Sequence, residues 1–364
     1  MKYDLLIVGA GLYGSVFAHE AVKRGRKVLV IDKRCAAGGN CRCENIEGIN
    51  VHRYGAHIFH TSDKRIWEYV NSFASFNNFV NTPYAYYKGK LYSMPFNMNT
   101  FYALWGVTTP EQARAEIERQ TAPYKNLTPS NLEEKALSLV GPDVYETLVK
   151  GYTEKQWGRS AKELPPFIIS RLPLRFTFDN NYFSDVYQGI PTGGYNVIFD
   201  ALLKGIELKC DADFFSDRRY FENCADRIVF TGRIDEYYDC RFGALEYRSL
   251  RFEDEILDKE DFQGNAVINY TDTEPAWTRI IEHKHFERVS SPRTVITREY
   301  PADWCDGAEP YYTVNDARNN NLYAKYRALS EGGRVVFGGR LGEYRYYDMH
   351  QVIASALSAV KKYL

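Results

Sequence analysis

The 364-residue sequence has no apolar run long enough to serve as a secretory leader or to span a bilayer, so a cytosolic protein without membrane insertion is expected. It has no block of charge of one sign. Its 46 basic residues are matched by 47 acidic ones, a formal net charge of -1, and the basic stripe or arm of a nucleic-acid binder is missing. Cysteine is sparse and unpatterned. There are seven, an odd number with no CxxC pair, so neither a disulfide framework nor a zinc site is favoured, and Cys41 and Cys43 read as small packing residues. Internal repeats and low-complexity tracts are absent too. What is left is an ordinary globular composition, 45% hydrophobic, in a chain longer than one core usually serves. Two or three units packed together are expected.

The first of these units is written at the N-terminus. "YDLLIVGAGLYGSVFAHEAVKRGRKVLVIDK" reads as an apolar strand, a turn carrying Gly9, Gly11 and Gly14, a helix, and a second apolar strand ending at Asp32. The glycines permit a tight turn and let a pyrophosphate approach the helix N-terminus, where free N–H groups and the helix dipole favour an anion. Asp32 falls where an acidic residue would accept from ribose hydroxyls. This motif alone does not choose between NAD and FAD. The next segment, "KRCAAGGNCRC", adds a second glycine pair, Gly38 and Gly39, followed by Asn40, and resembles the extended cofactor contact of FAD proteins of the glutathione-reductase type. Two later strands stopped by glycine, "DRIVFTG" and "RVVFGGR", fit the same sheet.

Between these pieces lie insertions of different character. Residues from about 62 to 164 are mainly helical in pattern, with capping-box spacing at "TPEQ" (Thr109 to Gln112) and "SNLE" (Ser130 to Glu133), and a hairpin "PYAYYKGKLYSMPF" interrupts them. Strands are expected from about 165 to 187 and again from 234 to 314, where "ALEYRSLRFEDE", "NAVINYT", "TRIIEHKHF" and "RTVITREY" alternate or are rich in β-branched residues. The expected architecture is α/β and discontinuous. Residues 1–62, 188–233 and 331–364 form a Rossmann-like FAD-binding domain, 63–82 and 97–164 an inserted helical domain, and 83–96, 165–187 and 234–330 an antiparallel β-sheet domain.

"RYGAHIFHT", "GYTEKQWGRSAKELP", "GALEYRSL", "TRIIEHKHF", "EPYY" and "GGRLGEYRYYDMHQ", in this order and after the N-terminal fingerprint, resemble the bacterial UDP-galactopyranose mutases from Lys2 to the C-terminus. The resemblance implies a redox-neutral isomerisation of UDP-galactopyranose to UDP-galactofuranose by reduced FAD, whose N5 acts as nucleophile at the anomeric carbon. It also implies a role in galactofuranose-containing cell-surface glycans, NADPH, NADH or another reductant, and a homodimer. Such chemistry needs no paired catalytic carboxylates, and the sequence carries no signature of them.

Residue by residue, the resemblance implies that Arg171 and Arg279 grip the diphosphate, a task suited to the planar guanidinium. Tyr182, Tyr311 and Tyr346 add phenolic donors. Trp157 lies beside the sugar, Tyr152 beside uracil, and Thr153, Asn81 and Asn269 supply polar contacts. Leu148 and Val149 stand where some family members carry aromatic residues, which implies a less stacked uracil pocket. His57 and Ile58 run along the flavin, and His60 packs there with proton transfer as a secondary role; no third ligand at metal-binding spacing is evident, so no metal is expected. Gly9, Gly11, Tyr13, Gly14, Asp32, Lys33, Gly39 and Asn40 hold the cofactor from the N-terminal side. Arg340 reaches a FAD phosphate, and Asp348 with Met349 starts a helix whose N-terminus faces the isoalloxazine, where its dipole favours negative charge. The proline-bounded "ELPPFIISRLP" reads as a lid carrying Arg171. A flavin amine oxidase and a noncatalytic nucleotide-sugar binder are the rival readings. The first has no use for two diphosphate arginines and a tyrosine cluster, and the second would bind UDP without converting it.

Overall fold

The apolar run Tyr3–Val8 becomes the central strand of a five-stranded parallel sheet because both of its faces are covered. The spatial order is Val335–Phe337, Ala225–Phe230, Tyr3–Val8, Val28–Ile31, Glu207–Lys209. Two helices, Leu12–Lys23 and Met349–Tyr363, pack together on one face, and Val16, Phe17, Ile353 and Ala356 share one buried core with Ile7 and Val30. The opposite face is closed by a second cluster in which Phe214, Phe221, Phe230 and Tyr237 surround Leu6 and Leu29. This is the Rossmann-like half of the α/β fold read from the sequence. The computed structural model describes residues 2–171, 174–330 and 332–364, with Ser170 and Arg171 described by their backbone alone.

The second sheet has seven strands in the order Tyr312–Thr313, Tyr247–Leu257, Thr294–Asp303, Arg279–Glu282, Val267–Tyr270, Tyr84–Tyr87, Lys90–Ser93. Its pairings are antiparallel except at one junction, where Val267–Tyr270 runs parallel to Tyr84–Tyr87. That junction attaches the hairpin, which turns through Lys88 and Gly89, both at positive φ (46° and 83°), the twist a two-residue hairpin turn requires. A third core, with Phe96, Phe101, Leu132, Val144 and Tyr145, unites the hairpin with the helices Met98–Trp105, Pro110–Thr121 and Leu132–Val144.

Several sequence expectations change here. In place of the expected strands, Pro166–Arg171 is a short 3-10 helix and residues 174–186 form turns and bends with a bridge from Leu174 to Phe96, because "FTFDNNYF" spends its polar groups on local turns: Asp179 Oδ1 accepts from the Asn181 N–H and Asn181 Oδ1 from the Phe183 N–H. The capping box at Thr109 is present, with Gln112 as its return partner. The second box slips by one residue. Asn131, not Ser130, caps the helix, while Glu134 accepts from both the N–H and the hydroxyl of Ser130. Helix Lys64–Asn71 buries Ile66 and Val70 in the Rossmann core and not among the inserted helices. Helix Ala317–Ser330 lies within the stretch assigned to the sheet domain, beyond its expected strands, and its Tyr326 joins a cluster with Ile234 and Tyr344 beside the Rossmann strands.

Candidate active site

The carboxyl ends of the parallel strands and one face of the seven-stranded sheet enclose a cavity of about 870 Å³, at the upper end of what a single bound molecule occupies. Its floor is the glycine turn. A Cβ on Gly14 would stand 2.0 Å from the Gly9 carbonyl oxygen, and one on Gly39 would stand 2.8 Å from Gly11 Cα, so two glycine backbones lie against each other with no room for side chains. Helix Leu12–Lys23 starts there with Gly11 as N-cap, without a side-chain cap and without an acidic residue in its first turn. Its leading N–H groups are thus open to an anion. Asp32 buttresses the turn from below, accepting from the Ala10 N–H at 2.7 Å and the Arg34 N–H at 2.9 Å.

Gly11, Tyr13, Gly14, Asn40, His57, Ile58, Arg340, Asp348 and Met349 line the cavity. Gly9, Asp32, Lys33 and Gly39, expected on the cofactor, do not line it. Gly9 packs on Thr231, Asp32 and Gly39 support the turn, and the Lys33 ammonium faces outward to Glu309 at 3.2 Å. Arg340 lies with its guanidinium 4.5 Å from the Tyr346 ring centre while its Nε donates to the Tyr347 carbonyl at 3.0 Å. Asp348 is the N-cap of Met349–Tyr363, its N–H bonded to the Gln351 side chain, so that helix also opens on the cavity.

His57 and His60 differ. Burial pushes His57 down to about 4, and its Nδ1 lies 2.8 Å from the Gly55 carbonyl, so the ring is neutral at physiological pH. His60 stacks on Phe183 with ring centres 3.7 Å apart, and its Nδ1 meets Asp185 Oδ2 at 2.6 Å. In space, ligand-capable atoms of Asp348 and His350 come within 4.8 Å of His60, a grouping that the sequence spacing hid.

The sheet side carries the charge. Arg279 stands directly across the strand pair from Glu299, with its Nε 3.3 Å from the carboxylate and Nη2 donating to the Tyr152 hydroxyl at 2.6 Å. Burial opposes both charges. The neighbouring carboxylate outweighs it for Arg279, whose pKa rises well above the usual guanidinium value, while burial wins for Glu299 and pushes its carboxyl up. Asn81, Thr153, Trp157, Tyr182, Asn269, Tyr311 and Tyr346 line the same space. Burial raises Tyr182 to about 12 and Tyr152 and Tyr311 upward as well, so the phenols keep their protons as donors. The Arg171 side chain lies outside the described residues.

Two family models match this chain: one described as UDP-galactopyranose mutase covers residues 147–346, and one described as an NAD(P)-binding Rossmann-like domain covers residues 7–73. A probable UDP-galactopyranose mutase of Klebsiella pneumoniae is 37% identical over 99% of this chain and 94% of its own length. The chain belongs to the UDP-galactopyranose mutase family. A relative from Escherichia coli, 36% identical over 99% of this chain and 98% of its own, is a dTDP-fucopyranose mutase. A crystal structure of reduced UDP-galactopyranose mutase superposes with a TM-score of 0.77 at 15% identity, covering 99% of this chain and 93% of the other, which is likeness of fold.

Members of the UDP-galactopyranose mutase family are flavin-dependent isomerases, and the residues present fit a flavin dinucleotide. The uncapped helix start and the glycine cradle suit a pyrophosphate. Two buried polar atoms beside them, the Tyr13 hydroxyl and Arg34 Nη1, have no protein partner. Sequence reading missed Glu299, Tyr312 and Gln156, which line the cavity, and Arg34, which stands behind the cofactor loop. Glu299 sits in "TVITREY", where only the strand register shows that it meets Arg279. Arg34 lies on the Tyr54 ring at 4.2 Å and holds Asn40 at 2.9 Å and Glu309 at 3.0 Å, tying the cofactor loop to "EPYY". No helix among the described residues is long and apolar enough to cross a membrane.

Proposed function

We propose that this protein interconverts UDP-galactopyranose and UDP-galactofuranose with reduced FAD. The observation that carries this reading is the placement of Arg279. A guanidinium braced by Tyr152 and Glu299 faces a cavity whose other wall is a glycine turn and an uncapped helix start. Reduced FAD would supply a nucleophile, its N5, for the anomeric carbon. The chain's own residues have four tasks. Gly11, Gly14 and the first N–H groups of Leu12–Lys23 receive the cofactor pyrophosphate, with Arg340, Tyr13 and Asn40 beside it. Arg279, joined by Arg171, neutralises the departing diphosphate, and Tyr182, Tyr311 and Tyr346 donate hydrogen bonds without adding charge. Trp157 covers a face of the sugar and Tyr152 a face of the base, with Thr153, Asn81 and Asn269 fixing orientation. The enclosing walls limit water, which would otherwise capture the activated anomeric carbon.

His57, neutral, and Ile58 pack along the ring system. His60, held by Asp185 and stacked on Phe183, packs beside the cofactor, with proton transfer during ring opening and closure as its secondary role. A nicotinamide reductant, a homodimeric assembly and a role in galactofuranose-containing cell-surface glycans complete the proposal. The test is anaerobic assay of dithionite-reduced protein with UDP-galactofuranose, with product chromatography. The expected result is UDP-galactopyranose without net oxidation, and the oxidised protein should be idle. Oxidation of the sugar, or binding without conversion, overturns the reading in favour of an oxidase or a sugar-nucleotide binder. Arg171→Ala is expected to raise KM and lower kcat with FAD retained.

A further inference from the structure

One wall of the cavity is a single helical run. The π-turn Tyr145–Lys150 passes directly into helix Gly151–Trp157. Leu148 and Val149, Tyr152 and Thr153, Gln156 and Trp157 all line the cavity, a spacing of i, i+1, i+4, i+5, i+8, i+9 that defines one continuous face. At 1.5 Å per residue that face extends for about 13 Å, enough to run beside a base, a pentose and a diphosphate in sequence. Its chemistry changes along the way. The middle turn holds Arg279 through Tyr152, and the last turn carries the Trp157 indole, whereas the first turn offers only the aliphatic surface of Leu148 and Val149.

That first turn does not stand alone. Leu148 and Val149 share a buried cluster with Met94, Leu132 and Ile169, and Pro83, whose carbonyl accepts from the Met94 N–H at 3.0 Å, closes the group. All six line the cavity and none carries a hydrogen-bonding side chain. Gly151 fixes the wall in place: a Cβ there would stand 2.3 Å from the Thr271 carbonyl oxygen, so the helix lies directly on the sheet. The site therefore ends in a preformed apolar pocket beyond the polar groups that would hold diphosphate and pentose.

Pyrimidine bases offer this pocket one distinguishing feature. Uracil and thymine present the same hydrogen-bonding edge and differ in the methyl on C5. An aliphatic enclosure rewards that methyl and has no group that a bare C5–H would satisfy better. We propose that this end of the cavity binds thymine more tightly than uracil, so that dTDP-hexopyranoses are substrates alongside UDP-hexopyranoses. The proposal rests on the mutase reading above, which is what puts a nucleoside diphosphate in the cavity. One methyl buried against apolar side chains gives roughly a fourfold gain in affinity, and more where the fit is close.

The test is calorimetric titration of the FAD-loaded protein with UDP, dUDP and dTDP. The last two differ only by the methyl and the first two only by the 2′-hydroxyl, so the base and the pentose are read separately. The expected result is dTDP at least threefold tighter than dUDP, with the ratio falling towards one in Val149→Thr, which keeps the shape and adds a hydroxyl. Reduced protein should also convert dTDP-galactopyranose to the furanose. A dTDP to dUDP ratio below threefold overturns the proposal, as does a ratio unchanged in Val149→Thr, or conversion of the UDP-sugar without the dTDP-sugar. In those cases UDP still binds and the mutase reading stands. If none of the three nucleotides binds, both fall.

Discussion

Replacing Arg279 by methionine removes the positive partner of a carboxylate with almost no access to water, since Glu299 is 1% exposed. Breaking a buried ion pair from one side costs about 3–5 kcal/mol, because the remaining charge is left uncompensated. For 364 residues at about 2.1 cal/mol/K each, that lowers the melting midpoint by roughly 4–7 °C. The loss must depend on pH in a particular direction. Burial already holds the folded Glu299 carboxyl above its ordinary value of 4.5, and Arg279 is what restrains it. Without the guanidinium the folded value climbs further. The protonated acid costs little, so the deficit is smallest below pH 4.5 and grows as pH rises through the folded value. Arg279→Met with Glu299→Gln leaves no orphan charge and should recover most of the midpoint. It should not recover UDP binding, which needs the guanidinium itself. Melting followed by flavin fluorescence at pH 5 and pH 8, with UDP titrations of both variants, separates the two effects. A single variant as stable as the wild type at pH 8, or a double variant no better than the single, refutes the account of the pair.

Gly14→Ala places a methyl 2.0 Å from the Gly9 carbonyl oxygen, backbone that cannot move without opening the turn. The purified variant is expected to lose its flavin absorbance relative to the 280 nm band, and full cofactor content would contradict the cradle described here. Glu282 is held down to about 2: burial opposes its charge, but His285, the N–H groups of Gln263 and Phe262 and the Thr294 hydroxyl overcome it. His285 is raised in turn by its bond to Glu282, so its contribution is present below 6.5 and is lost as pH rises through its folded value. His285→Asn should therefore lower the melting temperature at pH 6 more than at pH 9, and equal shifts at both would exclude the ion pair.

The N-terminal unit was legible because one short stretch carries every level of the answer: apolar strand, glycines that no other residue could replace, a helix start without a cap, and an acid at the next strand's end. Family motifs brought most of the remaining lining residues together, from Asn81 to Met349. The failures have physical causes. Residues 174–186 are aromatic enough to read as strand, yet their Asn and Asp side chains satisfy the backbone locally and no ladder forms there. Helix Lys64–Asn71 follows the Rossmann elements in sequence and stays with them, a matter of tertiary packing that its own pattern does not encode. Glu299 was invisible because a single glutamate in an alternating strand reads as outward-facing. Only the cross-strand register with Arg279 reveals that it points inward.

The first and last long helices, Leu12–Lys23 and Met349–Tyr363, press against each other, and both open on the cofactor side of the cavity. The phosphate-binding turn thus precedes its companion helix start in the sequence by more than three hundred residues, and during synthesis it waits for that partner. A cofactor that needs both helix starts would then be captured late in assembly. Any protein truncated upstream of Met349 should leave the ribosome with an open seat, and cofactor occupancy in a cell extract would report how much of the population has finished folding.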